Sequence, residues 1–278
     1  MVGRERVARL RTGLTTSYVE QGADGDVPLV LLHAWGESRR AFAPFLSHLP
    51  PGVRAVAPDQ RGHGDADKPR VGYSLPDLAE DATAFLDALE VSAAVLVGAS
   101  SGGYVAQQVA VAHPERVAGL VLAGAPRSLR GRRPAFAAEL DRLTDPLDPT
   151  WVRSFTLGFT RAELLPDGFL DVLVEDALTI PAAVWGLSLD GLCRSAAPTD
   201  VGPIRAPTLV VSGARDALVS RDESRRLAEA ISGSRWVEYP DTGHAVLWEQ
   251  PERLARDVVA FADRLSRARS RRGSRRSP

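Results

Sequence analysis

The chain has 278 residues, 44% of them hydrophobic and 25% charged, which suits one large globular domain with room for an insertion. A formal net charge of −1 gives no global field to draw it to nucleic acid or an anionic membrane, so neither is expected as a partner. One cysteine, Cys193, permits no intrachain disulfide, the mixed charges of Met1 to Arg6 do not make a secretory leader, and no run reaches the ~18 apolar residues of a spanning helix, so a cytoplasmic protein is expected.

In chain order, Arg6–Leu10 and Thr15–Glu20 flank a turn at Gly13 and read as an edge hairpin. Apolar runs at Val27–Leu32 and Arg54–Ala57 read as buried strands. Ser74 as N-cap and Asp77 three residues on open a helix whose Leu75, Leu78, Ala82, Phe85, Leu86 and Leu89 share one face. Strands at Ala93–Val97 and Val117–Ala123 follow, with helical spacing between them at Val105, Gln108, Val109 and Ala112. The strand rhythm then stops. Residues 126–205 read as a helical block broken by prolines, a cap inserted into a core formed by 1–125 and 206–266. Strands at Pro207–Ser212 and Arg235–Tyr239 enclose a helix capped by Ser220 and Glu223, and a last helix carries Leu254, Val258, Phe261 and Leu265 on one face. Residues 267–278, with six arginines and no acid, read as a disordered tail. Strand alternating with helix in this way predicts an α/β fold, a mostly parallel sheet flanked by helices.

The chemistry collects where strands end. Gly98-Ala99-Ser100-Ser101-Gly102 joins a strand to a helix, and a serine there stands on a sharp turn above the sheet at a helix N-terminus. Ser101, with alanine two positions before it, fits the pattern less well than Ser100. A serine hydroxyl needs a base. His244 is the histidine that follows a strand on a glycine-containing loop, whereas His113 at a helix end and His48 before a Pro-Pro turn read as structural. Asp216, just beyond Pro207–Ser212, is the acid that would orient His244. The loop His33-Ala34-Trp35-Gly36 ends the first parallel strand beside Ser100, so the N–H groups of Trp35 and Ser101 are the expected oxyanion donors. No metal or nucleotide cofactor motif is present, and none is expected.

With these residues assembled, the chain resembles an α/β-hydrolase-fold enzyme of the esterase, lactonase and C–C hydrolase kind, over about residues 15–265. Asp59-Gln60-Arg61-Gly62-His63-Gly64 is similar to that family's D-x-R-G-H-G turn, in which the histidine is structural, and Trp248-Glu249-Gln250-Pro251-Glu252 is similar to the segment after its catalytic histidine. The resemblance implies hydrolysis of a small-molecule carboxylic ester or lactone by Ser100, His244 and Asp216. Alternatives are C–C bond hydrolysis or perhydrolysis by the same triad, and a slow-turnover ligand receptor on the same fold. Perhydrolases of this fold tend to carry proline after the oxyanion tryptophan, where this chain has Gly36, and the family's usual His-Gly is here His33-Ala34. Tyr104, Trp151, Phe155, Phe159 and Trp185 are candidate substrate contacts. Arg127, Arg130, Arg132 and Arg133 either hold an anionic substrate tail or form a solvated face, the second being favoured.

Overall fold

The architecture was taken from a computed structural model that describes residues 3–23, 27–134 and 136–273. Eight strands are present: β1 (Arg4–Arg9), β2 (Thr15–Gln21), β3 (Leu29–Leu32), β4 (Ala55–Pro58), β5 (Ala94–Ala99), β6 (Val117–Ala123), β7 (Thr208–Gly213) and β8 (Arg235–Tyr239). They make one sheet in the order β1-β2-β4-β3-β5-β6-β7-β8, with β1 and β2 antiparallel to their neighbours and all other pairs parallel. All eight sequence-predicted strands exist, with no end displaced by more than two residues. Strands β3, β4, β5 and β7 are buried at every position, which is why each reads as a continuous apolar run rather than an alternating one.

Parallel strands need crossovers, and the helices supply them. They are α1 (Ala43–Ser47), α2 (Leu75–Ala88), α3 (Ser101–Ala112), then α4 (Ala137–Leu140), α5 (Pro149–Leu157), α6 (Phe169–Leu178), α7 (Ala182–Arg194) and α8 (Pro198–Val201) between β6 and β7, then α9 (Arg221–Ala230), α10 (Val246–Glu249) and α11 (Pro251–Gly273). One face of the sheet packs on α2, α3 and α9 through Phe85, Val109 and Leu227, the other on α1 and α11 through Phe45, Leu254 and Val258. The start of α2 is fixed by reciprocal bonds: Ser74 Oγ accepts the Asp77 N–H at 3.3 Å and Asp77 Oδ2 accepts the Ser74 N–H at 3.0 Å.

The five helices between β6 and β7 have an apolar cluster of their own, built on Val152, Ile180, Val184, Trp185 and Leu189. They are tied to the core by Arg40 Nη1 to Asp176 Oδ1 at 2.7 Å and by the Trp35 indole N–H to Ser188 Oγ at 2.9 Å. Helix α11 runs on to Gly273, so residues 267–273 are helical rather than part of a disordered tail; 274–278 lie outside the described residues. No single helix among the described residues is long and apolar enough to cross a membrane.

The turn after β4 joins sheet and site. Asp59, buried beneath it, accepts the Arg39 N–H at 2.7 Å and the Asp65 N–H at 2.8 Å, and pairs with the Arg39 guanidinium. His33, at the end of β3, accepts the Gln60 N–H at its Nε2 (2.9 Å), so the ring proton sits on Nδ1, 2.8 Å from the Ala34 carbonyl. His63 sets its Nδ1 2.9 Å from the Arg61 carbonyl. Burial holds His33 down at about 4 and His63 at about 3, opposing a charge that an unfolded chain would accept freely. Below the unfolded histidine pKa the unfolded chain therefore binds more protons than the folded one, and stability falls as pH drops from about 6.5 towards 4. Thermal unfolding of His63→Asn, which keeps a donor for the Arg61 carbonyl but cannot charge, should lose less Tm over that interval than the parent. An equal loss would contradict the assignment.

Candidate active site

Strand β5 turns into α3 through Ser100, whose φ of 47° and ψ of −118° lie where non-glycine residues are strained, at a cost on the order of 1–3 kcal/mol. Tight packing over-determines that conformation. The Ser100 N–H is held by the Ala123 carbonyl of β6 at 2.8 Å. A Cβ on Gly98 would lie 2.4 Å from Gly103 Cα, and one on Gly102 would lie 2.1 Å from the Leu32 carbonyl oxygen. Gly98 is required by the close approach of β5 to the first turn of α3, and Gly102 by that of α3 to the end of β3.

Two further strand ends bring partners to Ser100. Asp216 follows β7, and its Oδ1 accepts the N–H groups of Leu218 at 2.8 Å and Val219 at 2.9 Å. Its Oδ2 is 2.9 Å from His244 Nδ1, and His244 Nε2 is 2.9 Å from Ser100 Oγ. A carboxylate only accepts, so Nδ1 carries the proton and Nε2 is left free to take one from Ser100. The Asp216 and His244 loops are laced together by the Arg215 N–H to the Thr242 carbonyl at 2.9 Å. Glu249, a buried residue of α10 that the sequence reading assigned no role, holds the Gly243 N–H at 2.6 Å and so fixes the residue before His244. Its place in the segment similar to the family's was its one signal.

The loop after β3 lies against Ser101. Trp35 N–H, expected to face a substrate oxygen, donates instead to Ser101 Oγ at 2.7 Å. Glu37 closes the loop from its far end: its N–H donates to the Ala34 carbonyl at 3.2 Å, and its Oε2 accepts the Ala34 N–H at 3.0 Å. Burial pushes the Glu37 carboxyl up to about 7, against the lowering effect of the Ala34 N–H and of nearby His244. No sequence pattern singled out Glu37. The alanine at 34 is comfortable, because the only non-glycine residues with positive φ among those described are Glu90 and Ser100. Gly36 does the turning, with φ of 82°, and a Cβ there would lie 2.8 Å from the Trp185 ring.

Above Ser100 is a cavity of about 250 Å³ between the core and the inserted helices. Its wall includes Trp35, Phe136, Phe155, Phe159, Leu173 and Leu189, mostly apolar surface, with Ser100, Ser101, Glu37 and His244 among the polar groups. Phe155 and Phe159 therefore stand where a substrate contact would. The other three aromatic candidates do not. Tyr104, a residue of α3, is fully buried with its hydroxyl 3.1 Å from the Ala196 carbonyl, Trp185 is 1% exposed in the core of the inserted helices, and Trp151 stacks on Phe155. At helical spacing an aromatic packing inward and one facing a cavity look the same. Phe136, Leu218 and Leu247 line the cavity without having been singled out. Arg132 sits at the wall but is paired with Glu223 at 2.5 Å, while Arg127 pairs with Asp200 at 2.6 Å and Arg133 with Asp141 at 2.6 Å.

Comparison with known proteins places the chain among alpha/beta hydrolases. The alpha/beta hydrolase family profile matches residues 29–257. The chain is 30% identical to a 2-hydroxymuconate semialdehyde hydrolase from Pseudomonas sp. (strain CF600), covering 96% of this chain and 95% of that protein. It is also 30% identical to a non-heme chloroperoxidase from Streptomyces lividans, covering 90% and 96%. Among solved structures, an esterase from Rhodococcus sp. ECU1013 superposes with a TM-score of 0.83 at 28% identity, over 94% of this chain and 99% of that one.

Two substitutions separate cavity wall from packing. Trp185→Ala should cost about 3–5 kcal/mol of stability while leaving the preference between short and long substrates unchanged. Phe159→Ala should do the reverse, shifting relative kcat/KM by up to roughly 1–3 kcal/mol per methylene with a small change in Tm. Ala34→Gly should leave kcat alone and lower stability by about 0.4–1 kcal/mol, since glycine adds only unfolded-state freedom. A large gain in kcat would mean that Ala34 strains the loop.

Proposed function

We propose that this chain, which belongs to the alpha/beta hydrolase family, hydrolyses a carboxylic ester or lactone through an acyl-enzyme on Ser100. The observation that carries the reading is the chain of contacts from Ser100 Oγ through His244 to Asp216, 2.9 Å at each step, opening onto an apolar cavity. Ser100 Oγ attacks the carbonyl carbon as His244 Nε2 takes its proton. Asp216 keeps the imidazole oriented and stabilises its charged form. The Ser101 N–H, at the first turn of α3 and outside the intrahelical ladder, faces the developing oxyanion. Collapse breaks the bond to the leaving oxygen, which receives the proton from His244; in a lactone that oxygen stays attached to the acyl chain. Water then adds to the acyl-enzyme, giving its proton to His244, and the acid departs as Ser100 is reprotonated. No cofactor enters this sequence.

The C–C hydrolase reading has the relative from Pseudomonas in its favour. A muconate-type substrate brings a carboxylate, however, and the arginine at the cavity wall is already paired with Glu223. Perhydrolysis draws support from the chloroperoxidase relative. Here Gly36 has a φ that proline, fixed near −65°, could not adopt, so this loop is not of the proline-bearing kind.

The test is turnover on p-nitrophenyl esters that differ in acyl length and in the presence of an acyl carboxylate. Neutral acyl groups should be hydrolysed faster than carboxylate-bearing ones, and His244→Ala should lose about 10⁴–10⁶-fold in kcat while unfolding at the parent's temperature. Near-parental turnover by folded His244→Ala would overturn the reading.

A further inference from the structure

The Trp35 N–H is spoken for. It donates to Ser101 Oγ at 2.7 Å, a short, well-formed bond, so this amide points at a side chain of the protein. Ser101 is the first residue of α3, buried, and part of the same cavity wall as Ser100 and His244. Its hydroxyl accepts one hydrogen bond and, among the described residues, donates none, so its proton is uncommitted. A hydroxyl can accept and donate at once. An oxygen that accepts from an amide also becomes a better donor, because each bond in such a chain polarises the next.

We propose that Ser101 supplies two donors to the oxyanion, its main-chain N–H and its side-chain O–H, and that Trp35 N–H acts through that hydroxyl rather than on the substrate directly. The inference rests on Ser100 being the nucleophile. No proton changes owner: the hydroxyl donates a hydrogen bond as negative charge grows on the carbonyl oxygen and keeps its proton as the intermediate collapses. Ser101 is thereby a catalytic residue, and Trp35 and the Glu37-clasped loop are positioning elements that hold the hydroxyl in place. The arrangement also accounts for a serine following the nucleophile at a buried position, where an apolar side chain would leave the Trp35 N–H to find another acceptor.

Ser101→Ala and Ser101→Thr would be compared with the parent on one p-nitrophenyl ester, together with inhibition by a trifluoromethyl ketone, which forms an oxyanion adduct on a nucleophilic serine, and by the matching alcohol, which does not. Ser101→Ala should lose about 10²-fold in kcat with KM little changed, and lose affinity for the trifluoromethyl ketone by a similar factor while binding the alcohol normally. Ser101→Thr, which keeps a hydroxyl, should restore most of both. Unchanged or raised kcat in Ser101→Ala would overturn the proposal, since Trp35 N–H would then be serving the oxyanion itself. Equal losses of affinity for ketone and alcohol would overturn it too, as the mark of a structural role. Ser100→Ala assayed alongside separates the two readings: activity surviving there sinks the nucleophile assignment, whereas inactivity there with normal Ser101→Ala sinks only the hydroxyl's role.

Discussion

The contact on which the rest of the site depends is the crossing of the β5–α3 turn over the end of β3. A methyl group at Gly102 would lie 2.1 Å from the Leu32 carbonyl and 2.4 Å from that of His33, so nothing larger than hydrogen fits between these backbones. That approach sets Ser101 against the loop after β3, which brings the Trp35 N–H to the Ser101 hydroxyl and places Ser100 at the floor of the cavity. The strained angles at Ser100 are the local expense of the crossing. Parallel strands on both sides hold the turn in that shape, through the Ser100 N–H to β6 and the β3–β5 pairing of Leu32 with Gly98.

Around this crossing, the polar groups that shape the site are paired with one another. Asp216 spends one oxygen on two backbone N–H groups and the other on His244, which leaves the imidazole a single workable tautomer. Glu249 fixes the backbone just before His244, and Glu37 clasps the loop that carries Trp35. His33 is drawn between Ala34 and Gln60 and held neutral by burial, which ties the loop after β3 to the turn after β4. The cavity above is mostly apolar, so on the proposed mechanism charge developing beside Ser100 would be poorly screened by water and well served by fixed donors.

Much of this was legible in the residues because it rests on local rules. Apolar runs of four to seven residues ending in glycine-containing turns place the strands, and Ser100, Asp216 and His244 each lie just past a strand's carboxyl end. Side-chain direction in the inserted helices was not legible. Trp151, Phe155, Phe159 and Trp185 share a segment and a spacing, yet Phe155 and Phe159 line the cavity while Trp185 packs inward, a difference that only the docking of helix on helix decides. Nor could spacing show that the Ser101 side chain would intercept the Trp35 amide, because that depends on a contact between residues 66 apart in the chain. The extension of α11 to Gly273 escaped a composition argument that treats arginine and serine as solvated tail, although arginine also favours a helix.

The account's central claim is that Ser100 is an activated nucleophile, and covalent capture tests it most directly. Incubation with a fluorophosphonate followed by intact-mass measurement and peptide mapping should show one adduct per chain, on the peptide's Ser100 and not its Ser101, with no adduct on Ser100→Ala. A label that persists in Ser100→Ala, or that maps to Ser101, would contradict the account.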